Sequence, residues 1–488
     1  MIGLRMNEDQ LKRTVERCRE RGIVIPTIEQ LKDPGKTPKR IVKELKGIGL
    51  WDVVPQNLFR ITWKNQPMEK GGLFQPLANY MEIPPELTGV EARIIALVGK
   101  WFPTGAHKVG AAFGCLVPPL VTGQFDPTTH KAVWPSTGNY CRGGAYDSSL
   151  LACDSIAILP EEMSQERFDW LASVAGEVIK TPGSESNVKE IYDKVWELKR
   201  TRDDVFVFNQ FSEFGNYLWH YEVTGNALAE VLDRELGNGK YSGLCLTTGS
   251  AGTIASGDFM KQRYPTSRVS AGEAVQCPTL WINGYGAHRI EGIGDKHVPW
   301  IHNVRNTDTI IAIDDNDPMN LIRLFNEPAG RKYLVNDVGV SEGLVNRLDL
   351  LGISSVANML MAIKYARYYE LTRRDVVLTV FTDSMDMYQS RLKEARAAHG
   401  SYKRDDSIKD YHGHLMAHKT DAMIELDHYD RKRVHHLKYF TWIEQQMFDL
   451  DELNAQWYDY PEYWERVQQL TPKIDRLIVE FNERVSLI

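Results

Sequence analysis

The sequence predicts an α/β protein with two three-layer α/β/α domains on mostly parallel sheets, plus an N-terminal extension and a helical C-terminal extension. Short apolar runs alternate with segments of helical periodicity, such as "QERFDWLASV" and "SSVANMLMAIKYARYYEL". Buried strands that alternate with helices form βα units, which build parallel sheets. The strand-like runs are residues 92–99, 131–136, 154–160, 176–182, 204–209, 243–248, 309–314 and 375–381. Two such sheets fit into residues 90–395.

The two ends of the chain differ from this middle part. A charged helix is expected at about residues 8–21, followed by irregular chain punctuated by proline and tryptophan. Residues 396–488 are aromatic, charged and helical in pattern, as in "DELNAQWYDYPEYWERVQQL". We interpret them as a helical region that packs on the core or on a second subunit.

Composition excludes several classes of protein. The formal net charge of -7 is the wrong sign for a nucleic-acid or anionic-membrane partner. The six cysteines form no CxxC pair, which indicates reduced thiols rather than disulfides or a zinc site. The charged N-terminus has no apolar segment of signal-peptide length, and no run reaches the length of a membrane span. A cytoplasmic protein is expected.

One loop has the composition of a phosphate cradle. In "LTTGSAGTIASG", residues 246–257, an apolar strand runs into small residues and then into a predicted helix. Small residues let several backbone N–H groups point at one anion, and the helix N-terminus adds its positive dipole end. The loop is not a GxxxxGK[ST] nucleotide loop. The alternative is an ordinary tight turn between a strand and a helix.

Two further loops follow predicted strands. "WPSTGNYCRGGAYD", residues 134–147, offers Ser136, Thr137 and Asn139 as donors, although Asn139 is also a common turn residue. "TVFTDSMDMYQSRL", residues 379–392, ends a strand on three polar residues, any of which could simply cap the next helix. Ligands of parallel sheets collect at the carboxyl ends of strands, which makes both loops candidate site segments.

Lys108 lies in "WFPTGAHKVGAAFG", a run of small and apolar residues. A lysine there either extends from a helix end to solvent or is a desolvated amine with a lowered pKa, which reacts with carbonyls. Together, a reactive amine, a phosphate cradle, an asparagine loop and a hydroxyl at a strand end can hold a cofactor with an aldehyde, a phosphate and a pyridine nitrogen. Pyridoxal 5'-phosphate is such a cofactor.

Several motifs occur in the order of a known family. They are "PTGAHKVGA", "STGNY", "AILPEEMSQERFDWLASVAGEVIKTP", "TTGSAGTIAS", "EGIG" (291–294), "LGISSVAN" (351–358) and "FTDSMDMY". Over residues 95–392 the chain resembles the cysteine synthase/cystathionine β-synthase family of fold-type II pyridoxal-phosphate enzymes, within the tryptophan synthase β-like superfamily. The "GAHK" form is closer to the tryptophan synthase β and threonine synthase branches.

The resemblance implies roles for individual residues. Lys108 would bind the cofactor aldehyde and later remove the α-proton of the substrate, while Asn139 would hydrogen-bond the ring hydroxyl and Ser384 would face the pyridine nitrogen. The remaining implied residues are Gly249, Ser250, Ala251, Gly252 and Thr253 for the phosphate, and Ser136, Thr137 and Tyr140 for the substrate. The implied domains are residues 91–130 with 246–395 for the cofactor, residues 131–245 for the substrate, and the two extensions, 1–90 and 396–488.

Some positions depart from the family. Val109 and Gly110 stand where the family usually has Asp-Arg, and Tyr140 replaces the usual threonine after the asparagine. Six histidines lie between His412 and His436, and His414 and His418 have the i,i+4 spacing that can bind a metal on a helix. A solvated His-rich helix is the alternative, and no resident metal is expected.

The expected function is β-elimination or β-replacement on a serine- or cysteine-like amino acid through an aminoacrylate intermediate. The alternatives are a hydroxyamino-acid dehydratase or threonine synthase-like enzyme with a different leaving group, and a non-catalytic ligand-binding scaffold. A small amino-acid substrate and a homodimer or higher homo-oligomer are expected, and the negative net charge predicts no nucleic-acid or membrane partner.

Overall fold

Two β-sheets organise the chain in the computed structural model, which describes residues 2–136, 138–185 and 187–485. The larger has seven strands in the order β1-β2-β10-β7-β8-β9-β11, and the smaller has four in the order β5-β4-β3-β6. The strands are β1 Tyr80–Ile83, β2 Arg93–Val98, β3 Lys131–Pro135, β4 Ser155–Pro160, β5 Glu177–Thr181, β6 Val205–Val207, β7 Lys240–Thr247, β8 Arg268–Ala274, β9 Thr309–Ile313, β10 Asp375–Phe381 and β11 Met423–Glu425.

Helices cover the faces of both sheets and form the C-terminal region. The helices are α1 Glu8–Glu20, α2 Ile28–Lys32, α3 Lys39–Leu45, α4 Pro85–Thr88, α5 Lys108–Val121, α6 Asn139–Leu150, α7 Gln165–Val174, α8 Val188–Thr201, α9 Phe214–Trp219, α10 Gly225–Glu235, α11 Ala255–Arg263, α12 Thr279–Ile282, α13 Asn316–Asn326, α14 Pro328–Tyr333, α15 Glu342–Val345, α16 Ile353–Tyr368, α17 Gln389–His399, α18 Arg404–Asp410, α19 His428–Lys438, α20 Leu450–Tyr458, α21 Glu462–Gln468 and α22 Thr471–Val485.

The central strands are buried on both faces, as parallel sheets require. Every residue of β4, β9 and β10 is buried. All pairings of the smaller sheet are parallel, and the larger sheet is parallel except at its two edges, where β1 pairs with β2 and β11 with β9 antiparallel. The predicted fold class, two α/β units with mostly parallel sheets and a helical C-terminal region, is confirmed.

Each of the eight predicted strands is present, but β1, β8 and β11 were not predicted. β8 has the sequence "RVSAGEA", whose small and polar residues lack an apolar strand pattern. It is nevertheless buried beyond its first residue, because it lies between β7 and β9 at the centre of the sheet. β1 and β11 are only four and three residues long, and each belongs to a segment expected to be an extension.

The N-terminal and C-terminal extensions both contribute residues to the buried core. Trp63 of the N-terminal extension is 1% exposed, and its ring centroid lies 5.5 Å from that of His107, which precedes Lys108. In the C-terminal region, buried Lys438 donates to the carbonyls of Trp300 and His302 at 2.9 and 2.7 Å. The domain division stays a proposal. We move the boundary between the substrate domain and the second part of the cofactor domain from residue 246 to Lys240, because β7 begins there.

No single described helix is long and apolar enough to cross a membrane. The segments Glu342–Leu350 and Ile353–Tyr368 together meet that test, but they are bent by 120° at the break between them.

The predicted histidine pair contacts one carboxylate. His414 Nδ1 lies 2.8 Å from Asp317 Oδ1, and His418 Nε2 lies 3.5 Å from Asp317 Oδ2. Within the described ranges, no group of three or more His, Cys, Asp or Glu side chains could hold a metal ion. The pair therefore ties residues 411–418 to α13.

This contact predicts a pH-dependent contribution to stability. The hydrogen bond to Asp317 raises the pKa of His414, so the contribution is complete below the unfolded pKa and is lost as the pH rises through the folded one. We expect Asp317→Asn to lower the free energy of unfolding by about 0.5 kcal/mol at pH 5.5 and by less at pH 8.5. Urea unfolding of both proteins at the two pH values measures this, and an equal effect at both would contradict it.

Candidate active site

A cleft of about 630 Å³, including the open space at its mouth, lies between the two sheets, at the carboxyl ends of their parallel strands. The loop after β2 brings Lys108, the loop after β3 brings Ser136 and Asn139, and the loop after β7 brings residues 249–253. This is where ligands of parallel α/β proteins bind. Thr382, in the loop after β10, also lines the cleft, so the structure brings all four predicted loops together.

Lys108 is the first residue of α5 and reaches into the cleft. Its Nζ donates to Gln210 Oε1 at 3.0 Å and to Ser250 Oγ at 2.9 Å. Both partners are neutral, so neither stabilises the ammonium form as a carboxylate would. Burial lowers the pKa of Lys108 to about 8. An appreciable fraction of this amine is neutral, and hence nucleophilic, near neutral pH.

Packing explains why Val109 and Gly110 stand where the family usually has Asp-Arg. A Cβ on Gly110 would lie 2.1 Å from the Trp219 ring, so α5 and α9 meet with room only for glycine. Val109 is fully buried, and a Cβ on Gly143 of α6 would lie 2.7 Å from the Val109 Cα. Charged side chains do not fit in this contact between three helices.

Residues 249–254 form an anion cradle in front of α11. Their six backbone N–H groups donate to no other group within the part of the chain that the structure describes. Unpaired N–H groups are rare in folded chains, and a set of them at a helix N-terminus favours an anion. Ala251 has a φ of 60°, a left-handed conformation that few residues other than glycine adopt. The strained backbone of this loop thus brings several N–H donors close together.

Asn139 opens α6, and its side chain turns toward the end of β10. Its Nδ2 donates to Asp383 Oδ2 at 2.6 Å, while its buried Oδ1 has no partner in the described structure. Ser136 and Tyr140 also line the cleft, and the Tyr140 hydroxyl donates to the carbonyl of Phe208 at 3.3 Å. Thr137, predicted to bind the substrate, lies outside the described residues.

Ser384 lies apart from these groups. It is 2% exposed and is not one of the residues that line the cleft. Thr382, two residues earlier, lines it instead, and its Oγ1 lies 3.2 Å from His107 Nε2. Burial lowers the pKa of His107 to about 3, so this imidazole is neutral. We therefore propose Thr382, rather than Ser384, as the hydroxyl at the end of β10 that faces a bound ring.

Sequence reasoning missed three polar residues of the cleft. Gln210 follows β6, binds Lys108 and donates from Nε2 to Ser136 Oγ at 3.3 Å. Glu185 follows β5, and Asp295 follows the "EGIG" motif. The rule that ligands bind at strand ends would have pointed to the loops after β5 and β6, but nothing in "VFVFNQF" marks the glutamine as functional.

Comparison with known proteins decides the family. The family model described as "Pyridoxal-phosphate dependent enzyme" matches residues 102–383, more than half of the chain. This chain belongs to the family of pyridoxal-phosphate-dependent enzymes. The matched segment begins just before Lys108 and ends at Asp383, so it includes every loop of the cleft.

Individual relatives agree with this family. The chain is 29% identical to a cysteine synthase of Staphylococcus aureus over 259 residues, 53% of this chain and 75% of that one. It is 26% identical to a probable cysteine synthase of Bacillus subtilis, covering 64% of this chain and 93% of that one. Cysteine synthase from Entamoeba histolytica has the same fold, with a TM-score of 0.56, 20% identity, and coverage of 70% and 93% of the two chains.

The residues of the cleft fit the family's cofactor. The unpaired N–H groups of residues 249–254 suit a phosphate, the amine of Lys108 suits an aldehyde, and the orphaned Oδ1 of Asn139 suits a ring hydroxyl. A Cβ on Gly252 would lie 2.1 Å from Asn216 Oδ1, so the cradle is closed to any larger side chain.

The pKa of Lys108 predicts how the cofactor-free protein captures pyridoxal phosphate. Only the neutral amine attacks an aldehyde, so the capture rate should rise with pH and level off above about 8. Stopped-flow absorbance between pH 6 and 10 measures the midpoint of this rise, the pH at which the capture rate is half of its plateau. The rates are corrected for the free cofactor's reaction with N-acetyl-lysine. A midpoint near 10.5, the value of an ordinary lysine, would contradict a desolvated amine.

Proposed function

We propose that this enzyme eliminates or replaces the β-substituent of a serine- or cysteine-like amino acid. The observation that carries the proposal is the setting of Lys108, whose amine lies between two neutral partners in the cleft that also holds the anion cradle. The similarity to two cysteine synthases over more than half of the chain supports the same reaction class.

When bound, pyridoxal phosphate supplies an electron sink that makes the α-proton of an amino acid acidic. Lys108, with a pKa of about 8, is suited to take that proton at Cα as general base and to hold it near the β-position. Gln210 and Ser250 orient Nζ for this transfer. The loop that contains Ser136 and Asn139 lies on the other wall, where the substrate carboxylate would be held.

The polar groups at the ring end of the cleft favour loss of a β-substituent. Thr382 offers a hydroxyl and His107 a neutral imidazole, and neither protonates a pyridine nitrogen as a carboxylic acid does. Asp383 is the nearest carboxyl in sequence, but it does not line the cleft. Its Oδ2 accepts from Asn139 and Tyr388, and its Oδ1 faces Gly352. A ring held by these neutral groups would be a milder electron sink, which would favour loss of the β-substituent over other outcomes.

A substrate panel tests this proposal. The holoenzyme is supplied with O-acetylserine, O-phosphoserine, serine, cysteine or threonine, and pyruvate release is measured with and without added sulfide. We expect turnover of at least one serine or cysteine substrate at a kcat/KM at least about a hundredfold above that for threonine. Preference for threonine would contradict the proposal and favour a dehydratase or threonine synthase-like reaction.

We further propose that the enzyme is a cytoplasmic homo-oligomer. All six cysteines are free and buried, which suits a reducing compartment. Several large apolar side chains of the C-terminal region, of α12 and of the loop after α12 are exposed, as in a face that a second subunit covers. They are Ile282, Tyr285, Phe440, Met447, Leu450 and Tyr458. Light scattering on the purified chain would reveal a monomer if the oligomer proposal is wrong.

A further inference from the structure

A second cavity, of about 1560 Å³ including its mouth, lies outside the catalytic cleft. Glu162 and Ser184 of the smaller α/β unit form one side, while α13, α17 and Lys409 of α18 form the other. No predicted site residue contacts it, and the proposed reaction does not use it. Its size is sufficient for a small organic ligand.

The two cavities share a wall, the segment of residues 288–295. His288 and Glu291 line the second cavity, whereas Gly292, Ile293, Gly294 and Asp295 line the catalytic cleft. His288 Nε2 lies 3.0 Å from the carbonyl oxygen of Gly294. The N–H of Gly294 in turn donates to the carbonyl of Thr248, beside the anion cradle, at 3.0 Å. A ligand that moves this wall from one side also moves the catalytic side.

The lining includes two cationic side chains, Arg323 and Lys409, that the protein does not fully engage. Arg323 is 6% exposed, its Nη2 donates to the carbonyl of Gly400 at 2.8 Å, and its buried Nε has no hydrogen-bond partner among the described residues. The nearest carboxylate oxygen to that Nε, on Glu327, is 3.9 Å away and is held by Arg396 at 2.8 Å. Lys409 is exposed and forms no ion pair in the described ranges. A guanidinium in the cavity wall and a free ammonium together favour an oxyanion.

The other charged groups of the cavity are largely paired. Arg289 pairs with Asp315 at 3.1 Å, and Arg391 donates to both Glu291 and Glu394, at 2.7 and 2.8 Å. Glu162 lies exposed on the opposite side from Arg323. On the α13 and α18 side, Lys409 has no carboxylate partner among the described residues, and its charge is positive.

A continuous chain of buried polar contacts runs from this cavity toward the cofactor loop. One carboxylate oxygen of Glu291 pairs with Arg391 Nε. The other pairs with Arg167 Nη1 at 2.6 Å. Arg167 also crosses from the smaller unit to donate to the Tyr388 hydroxyl at 3.0 Å. A Cβ on Gly138 would lie 2.5 Å from Arg167 Nη1, so the arginine packs directly against the asparagine loop.

The inner end of this chain reaches Asn139. The Tyr388 hydroxyl donates to Asp383 Oδ2 at 2.7 Å, and Asn139 Nδ2 donates to the same oxygen at 2.6 Å. Burial raises the pKa of Asp383, while Arg167 opposes this rise. The position of Asn139 thus depends on a network whose outer member, Arg391, lies in the wall of the second cavity.

We propose that the second cavity is a regulatory site for a small organic oxyanion, a carboxylate or a phosphate ester, held by Arg323 and Lys409. An oxyanion there competes with Glu291 for Arg391 and loosens the chain that ends at Asn139. Binding therefore raises the KM for the amino-acid substrate with little change in kcat. The effect on KM rests on the proposed function, whereas binding itself does not.

Calorimetry on the holoenzyme, whose phosphate cradle is filled, tests binding with succinate and inorganic phosphate separately. We expect at least one of the two to bind, and Lys409→Ala and Asn320→Asp to weaken it about tenfold or more. Lys393→Ala is the matched control, since Lys393 is an exposed lysine on α17 outside the cavity. The site does not exist if neither anion binds, or if both cavity variants bind as tightly as the control.

Kinetics with the bound anion test the coupling. The KM for the best amino-acid substrate should rise at least about threefold in the wild type and in Lys393→Ala. It should stay unchanged in Tyr388→Phe, which still binds the anion but lacks the hydroxyl between Arg167 and Asp383. An equal rise in Tyr388→Phe, or none in the wild type, would overturn the coupling. If no amino acid is turned over, the proposed function fails, and calorimetry still decides whether the site exists.

Discussion

Replacing Lys108 by alanine is expected to remove the visible absorption band of the bound cofactor and to lower kcat/KM at least about 10⁴-fold. The side chain both reacts with the cofactor aldehyde and serves as the base at Cα, so one substitution removes two functions. The phosphate cradle stays intact in this variant, because residues 249–254 are shaped by their own backbone and by Asn216. Pyridoxal phosphate should still bind without a covalent bond.

Lys100→Ala is the control, because Lys100 lies only eight residues away and pairs with Asp386 at 3.0 Å. It should keep both the absorption band and the activity. If Lys108→Ala keeps the band after dialysis, another lysine holds the cofactor and the assignment of the cleft is wrong.

Replacing Gly252 by alanine is expected to damage the cofactor site from its other end. The new Cβ would lie 2.1 Å from Asn216 Oδ1, while Asn216 Nδ2 holds Ser250 Oγ at 3.0 Å. Either Asn216 or the cradle must shift. We expect a loss of about 1–3 kcal/mol in the free energy of unfolding. Cofactor affinity should fall about tenfold or more, since several charge-assisted hydrogen bonds to the phosphate are misaligned together.

Ala251→Gly separates this effect from a general sensitivity of the loop. Ala251 has a φ of 60°, so glycine relieves strain there, while the unfolded chain gains freedom. These effects offset each other, and we expect stability to change by no more than about 0.5 kcal/mol. Urea unfolding and cofactor titration measure both variants. Normal cofactor affinity in Gly252→Ala would show that the loop does not hold the phosphate.

The fold was largely predictable because the central strands are apolar and short, and helices of clear periodicity separate them. β8 escaped prediction because its place in the sheet, rather than its composition, makes it a strand: Ser270 and Glu273 are polar yet buried. The pairing of β1 and β11 with the sheet edges depends on contacts distant in sequence, which a local pattern does not encode.

The location of the site was predictable where the shape of the backbone requires small residues, because such residues are recognisable in the sequence. Small residues at 249–253 and the lysine among glycines are visible in the sequence, and the structure places them together. Gln210 was missed because glutamine is common at any strand end, and in the loop after β10 the resemblance pointed to Ser384 rather than to Thr382. Only the fold shows that Thr382 faces His107 and that Gln210 accepts from Lys108.

The central claim is that Lys108 binds the cofactor aldehyde, and chemical trapping tests it most directly. Sodium borohydride converts a lysine-bound aldehyde into a stable amine, so the holoenzyme is reduced, digested and mapped by mass spectrometry. We expect the pyridoxyl phosphate mass on the peptide that contains Lys108 and on no other lysine. A label on a different lysine, or no label in a preparation that shows the visible band, would contradict the account.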